Sequence, residues 1–159
     1  APIYLYKYIG FDWQTIAIIF TIMLVPFVIV QIPLGKLADK KIGEKEMLTV
    51  GFIIMAISTA LISFVDGKDF WVWALLLLFT RIGASIVQLM CDVYFFKNIS
   101  EKKVNLISLY RMTFPAAYIV APVLGSIFLI YFPFVYMFAT LGFLMLFGLV
   151  FSLELRDTK

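Results

Sequence analysis

The sequence predicts an all-α fold, a polytopic membrane helical bundle of about five transmembrane helices. Three observations predict it. Of the 159 residues, 64% are hydrophobic and the mean hydropathy is +1.04, well above the roughly half-apolar composition of a water-soluble domain. Only 14% are charged, and they collect in short segments that separate five apolar blocks, each close to the ~20 residues that cross a ~30 Å hydrocarbon core. Runs such as Phe52–Leu61 show little polar alternation, whereas a membrane β-strand alternates over about ten residues. Helices are the other way to satisfy a backbone in lipid.

The whole chain, 1–159, reads as one transmembrane bundle. Its lead, residues 1–13, has no basic stretch followed by an apolar one, so no cleavable signal peptide is expected there. The first helix is placed at about 14–34 and contains Pro26 and Pro33; a loop at 35–46 follows. The second, about 47–65, carries Ala56 and Ala60 at the four-residue spacing that lets helices approach closely. Asp66-Gly67-Lys68-Asp69 forms a tight polar turn into the third helix, about 70–96, which contains Gly83. A charged surface segment, Lys97–Asn105, leads to the fourth helix at about 105–131, which holds Pro115, Pro122 and the small Gly125. Tyr131-Phe132-Pro133-Phe134 turns the chain into the fifth helix, about 134–153. All four helix prolines are expected to kink their helices.

Charge sets the orientation. Lys36, Lys40, Lys41, Lys45, Lys97, Lys102, Lys103, Arg111, Arg156 and Lys159 all fall on one side of five crossings, and only Lys7 and Lys68 on the other. The positive-inside rule therefore predicts an integral protein of a plasma or bacterial inner membrane, with the N-terminus outside and the C-terminus cytoplasmic. Trp71, Trp73, Tyr131 and Tyr136 then form an outer aromatic belt. Cytoplasmic placement also argues against glycosylation at Asn98-Ile99-Ser100. The +3 net charge reports topology rather than nucleic-acid binding.

The absence of histidine and the single cysteine, Cys91, exclude a histidine base, an internal disulfide and a Cys-rich metal site within these residues. No cofactor or metal is expected. An integral-membrane enzyme would need several polar catalytic groups at one depth, and only Arg81 lies near the midplane.

That arginine belongs to a stripe. Arg81, Ser85, Gln88 and Asp92 recur at i, i+4, i+7 and i+11, within about 40° of one face of a 3.6-residue helix. Arg81 lies eleven residues beyond Phe70, about 16 Å along the axis. A lone arginine at that depth costs at least about 2.5–3.5 kcal/mol, so it should face a cavity or a partner. Two uses are open: Arg81, Ser85 and Gln88 line a solute pathway, with the guanidinium offered to a polar or anionic solute, or Arg81 pairs with an acid outside this chain. Asp92 lies only five residues before Lys97, which places it nearer the cytoplasmic mouth. As the one carboxylate within a predicted helix it is the sole candidate here for proton coupling, and it is shallow.

"GKLADKKIGEK", residues 35–45, resembles the signature loop of the major facilitator superfamily of secondary transporters. Gly35, Leu37, Asp39, Lys40, Gly43 and Lys45 fit its pattern, with one extra residue between Asp39 and Gly43. "TRIGASIVQ" at 80–88 resembles the family's arginine motif, and "APVLG" at 121–125 a partial Gly-Pro motif. "IVQIPLG" at 29–35 and "IVAPVLG" at 119–125 also echo each other, as an inverted-repeat transporter would have them do. The resemblance implies most of a C-terminal six-helix half, helices eight to twelve, with 1–13 as an outer loop leaving an absent seventh helix. It implies that Asp39, with the basic residues around it, latches one face of an alternating-access cycle, and that Asp92 joins that charge cluster. The alternative is an ordinary basic loop that holds the chain to an anionic leaflet. Expected partners are the bilayer, the missing N-terminal half and a small-molecule solute. A non-transporting membrane assembly subunit is the alternative function.

Overall fold

The computed structural model describes residues 2–29, 33, 43–99 and 104–154. Every element among them is helical. Five helices follow one another: α1 Trp13–Ile29, α2 Glu44–Leu61, α3 Phe70–Asn98, α4 Val104–Tyr131 and α5 Phe134–Glu154. A 3-10 turn, Ile62–Phe64, extends α2. Four of the five are long and apolar enough to cross a membrane, and α1 is a shorter apolar helix.

Residues expected as a loop at the start are helical and packed. Pro2–Tyr4 forms one α-turn that widens into a π-turn at Leu5–Ile9. Tyr4 and Leu5 are almost fully buried, and the Tyr4 ring meets Phe134 at 5.3 Å, Phe138 at 5.1 Å and Trp73 at 5.9 Å. The segment is too short for a periodic signal, so only these aromatic contacts reveal it. Gly10 ends it at φ +81 with its N–H on the Leu5 carbonyl, a left-handed conformation that favours glycine. Asp12 then caps α1, accepting bonds from the Thr15 hydroxyl at 2.5 Å and the Thr15 N–H at 3.3 Å.

At the start of α2, Gly43 is the extended N-cap, and Glu44 and Glu46 occupy the first turn. The positive end of the helix macrodipole favours both acids. The helix accordingly begins at Glu44, not near 47, and takes up the last residues of the expected 35–46 loop.

In lipid, apolar burial drives helix association weakly and close van der Waals packing decides it. Here glycines set the approach. Gly51 of α2 and Gly83 of α3 face each other so closely that a Cβ on Gly83 would lie 2.8 Å from the Gly51 carbonyl oxygen and from the Met55 nitrogen. Further along, the Thr80 hydroxyl donates to Ser58 at 3.0 Å. On its other side α2 receives α5. Gly142 sits against Ala56 and Ala60, Gly148 against the Phe52 ring, and the hydroxyls of Thr49 and Ser152 share a hydrogen bond at 2.9 Å. In both pairs residue numbers rise on α2 as they fall on its neighbour, so both are antiparallel.

Two apolar clusters fill the ends. One joins Tyr4, Phe11, Ile16, Ile19, Ile62, Trp73, Leu77 and Phe138, and brings the start of α1 onto the start of α3. The Trp73 indole N–H also donates to the Gly67 carbonyl at 2.8 Å and closes the α2–α3 turn. The other gathers Met47, Leu48, Ile86 and Met90 between α2 and α3. No α4 residue with a described side chain is buried.

Candidate solute-facing stripe and its polar ends

The face of α3 that meets α2 carries Gly83, Ile86 and Met90. Arg81, Ser85, Gln88 and Asp92 lie about half a turn round the helix from these. On that second side α3 begins apolar, with Ala74 and Leu77 packed in the α1 cluster, and becomes polar one turn later. Arg81, Gln88 and Asp92 are half-buried. Ser85 is fully buried and donates to the Ile82 carbonyl of its own helix at 2.8 Å. The stripe thus runs between α1, over the first half of α3, and α4, which reaches α3 near Asp92.

That approach is specific. The Tyr110 hydroxyl of α4 donates to Asp92 Oδ1 at 2.7 Å. Its ring stacks on Phe95 of α3 with centroids 3.9 Å apart and planes inclined by 16°, and Phe114 meets it edge-on at 6.1 Å. Tyr110 carries no sequence signal for this role, because its partner comes from a different helix.

A second polar contact joins the start of α2 to the end of α3. Lys97 Nζ lies 2.5 Å from Glu44 Oε1, and the Glu44 side chain is only 3% exposed against 38% for Lys97. The pair suits both dipoles, with an acid at a helix N-terminus and a cation at a C-terminus. The acid directly after Gly43, at the start of an apolar run, marks a helix start, but nothing in the sequence marks Lys97 as its partner.

The other expected site residues divide by position. Gly35, Asp39 and Lys40 lie outside the described residues, so the Asp39 cluster does too. Gly43 caps α2, and Lys45 stands in its first turn with its carbonyl accepting the Thr49 hydroxyl at 2.8 Å. The hydrogen bond that Asp92 makes is to Tyr110, a full turn before Lys97. Pro115 and Pro122 lie inside α4, which runs unbroken from Val104 to Tyr131. Pro26 is within α1, and Pro33 is helical and exposed. Among the described residues no three metal-ligating side chains converge.

Neither a curated protein nor a solved structure matches the chain. The family model of the Major Facilitator Superfamily matches residues 1–159, the full length of a helical bundle with membrane-spanning helices and a polar stripe, and the chain belongs to that superfamily.

Proposed function

We propose that this chain forms part of a secondary active transporter that carries a small solute across the membrane by alternating access. Membership of a transporter family supports the general reading. The observation that carries the finer one is the stripe: a half-buried arginine and glutamine on the side of α3 away from its α2 packing face. In this reading Arg81 supplies fixed positive charge to a polar or anionic solute, and Ser85 and Gln88 line the same wall. An N-terminal half provides the opposite wall, and the two rock against each other. Asp39, Lys40, Gly43 and Lys45 act at the cytoplasmic face as a latch, with the N-terminus outside and the C-terminus in the cytoplasm.

Uptake into vesicles by the full-length protein tests this. Arg81→Ala is expected to lower uptake at least about tenfold, the effect of losing roughly 1.4 kcal/mol, with insertion unchanged. Wild-type uptake kinetics would remove Arg81 from the pathway.

A further inference from the structure

We propose that one face of α4 borders water inside the membrane, and that the Tyr118 hydroxyl and the backbone carbonyls of Arg111 and Tyr118 are its hydrogen-bonding groups. Helical spacing defines the face. Arg111, Pro115, Tyr118 and Pro122 recur at i, i+4, i+7 and i+11 of α4, within about 60° of one another. Opposite them stand Leu109, Ala116, Val120 and Ile127, which are all apolar.

Depth makes the tyrosine informative. Tyr118 comes 14 residues after Val104 and 13 before Tyr131, so it stands at the middle of the span. It is 79% exposed, and its hydroxyl has no hydrogen-bond partner among the described residues. The other hydroxyls between residues 110 and 126 are bonded, Tyr110 to Asp92, Thr113 to the Tyr110 carbonyl and Ser126 to the Val123 carbonyl. A hydroxyl moved into hydrocarbon forfeits its bonds to water, and from mid-span the headgroup layer is about 15 Å away, beyond the reach of a tyrosine.

The prolines add a second need on the same face. Pro115 and Pro122 lie inside α4 and have no N–H, so the carbonyls of Arg111 and Tyr118 lose the donors four residues on. Freed carbonyls in a membrane helix are satisfied by a neighbouring helix, a Ser or Thr hydroxyl, or water. Here every residue from 111 to 124 is exposed, and the nearby hydroxyls of Thr113 and Ser126 donate to other carbonyls. Lipid supplies no donor. A closely packed helix is also a poor fit, because Tyr118 stands between the two prolines where close approach needs a small residue. Water fits, and so do the N–H or O–H groups of a polar solute. The wet face follows from α4 itself, whereas its use by a solute rests on the transporter reading.

Thiol reactivity tests this, since thiols react as thiolates and an apolar setting suppresses these. Single cysteines are placed in the full-length protein in vesicles, with Cys91→Ser removing the native thiol. Tyr118→Cys reports on the polar face. Ala116→Cys and Val120→Cys bracket it by about 3 Å in depth on the opposite face, so depth alone cannot separate them. A small charged methanethiosulfonate is added on both sides of the membrane, and each rate is divided by that of the denatured protein. Tyr118→Cys is expected to react at least about tenfold faster than either control.

Equal rates overturn the proposal. If all are slow, lipid or a partner helix covers the face, and if all are fast, α4 is wetted on every side. Should Tyr118→Cys not insert, Pro122→Cys takes its place, bracketed by Val120→Cys and Leu124→Cys, with the same tenfold difference expected and equal rates again overturning. Uptake by wild type and Arg81→Ala, run in parallel, separates the two readings. A fast Tyr118→Cys with no uptake by wild type leaves the wet face standing and removes the transporter reading, whereas equal labelling with Arg81-dependent uptake removes the wet face alone.

Discussion

Helices α2 and α4 are both long and apolar enough to cross a membrane, yet they are held in opposite ways. Helix α2 buries Met47, Leu48, Gly51, Ala56, Ser58 and Thr59 and packs on both α3 and α5. Helix α4 buries none of its described side chains and meets α3 through one tyrosine. Composition does not explain the difference, because α4 has its own small residues, Ala116, Ala117, Ala121 and Gly125. What differs is the facing surface. Gly51 meets Gly83, and Ala56 and Ala60 meet Gly142, while the small residues of α4 meet little of this chain. A small residue permits close approach only when another helix presents a matching one.

The largest expected effect tests that contrast directly. A methyl group on Gly83 would be driven against two backbone atoms of α2, each 2.8 Å away, and no rotamer can relieve it. Gly83→Ala should therefore destabilise the bundle by about 1–3 kcal/mol, read as a fall in the melting temperature of the purified protein. At Gly125 the nearest contact is the flexible end of Met137 at 3.6 Å, so Gly125→Ala should change it little. Equal losses at the two positions would break the comparison.

Next in size is the pair at the start of α2. Lys97→Met removes an ammonium from a carboxylate that is only 3% exposed. Breaking a fully buried pair costs about 3–5 kcal/mol, but Lys97 is itself 38% exposed, and screening reduces the figure to about 1–2 kcal/mol. The double variant Glu44→Gln/Lys97→Met should recover part of the loss, because the buried side chain of residue 44 then carries no charge. Chemical denaturation of both proteins measures this, and a double variant less stable than Lys97→Met would show that the ion pair is not the source of the effect.

Much of the fold is legible in the sequence. Apolar blocks, charged breaks and turn residues locate helices because lipid forces each span to satisfy its own backbone. The stripe was legible as well, since four polar residues at helical spacing cannot all face lipid. The remainder depends on partners far apart in the chain. Nothing local joins Tyr110 to Asp92 or Glu44 to Lys97, and the π-turn at Leu5–Ile9 is too short to leave a periodicity. The Ala56, Ala60 and Gly83 contacts were foreseeable as small residues, but not the identity of what each would touch. Gly125 shows the limit, because the same reasoning marked it and this chain leaves it open.

The smallest expected effect lies outside both helices and sets a baseline for what a local contact contributes. Asp12 caps α1 through Thr15, and the Thr15 hydroxyl holds its carboxyl below the ordinary value of 3.8, against a weaker opposing effect of desolvation. A carboxyl whose pKa is lower in the folded state stabilises that state above the unfolded pKa. The contribution is lost as pH falls from the ordinary value through the lower folded one. Wild-type protein should thus lose a small increment of melting temperature on acidification across that window, relative to Asp12→Asn, which cannot titrate there. At neutral pH the two should differ less than Lys97→Met differs from wild type. Asp12 is fully exposed and its contact spans three residues, whereas Glu44–Lys97 ties two helices across 53. A larger effect at Asp12 would mean that local capping, rather than contact between helices, dominates the stability of this bundle, and the contrast between α2 and α4 would lose its physical basis.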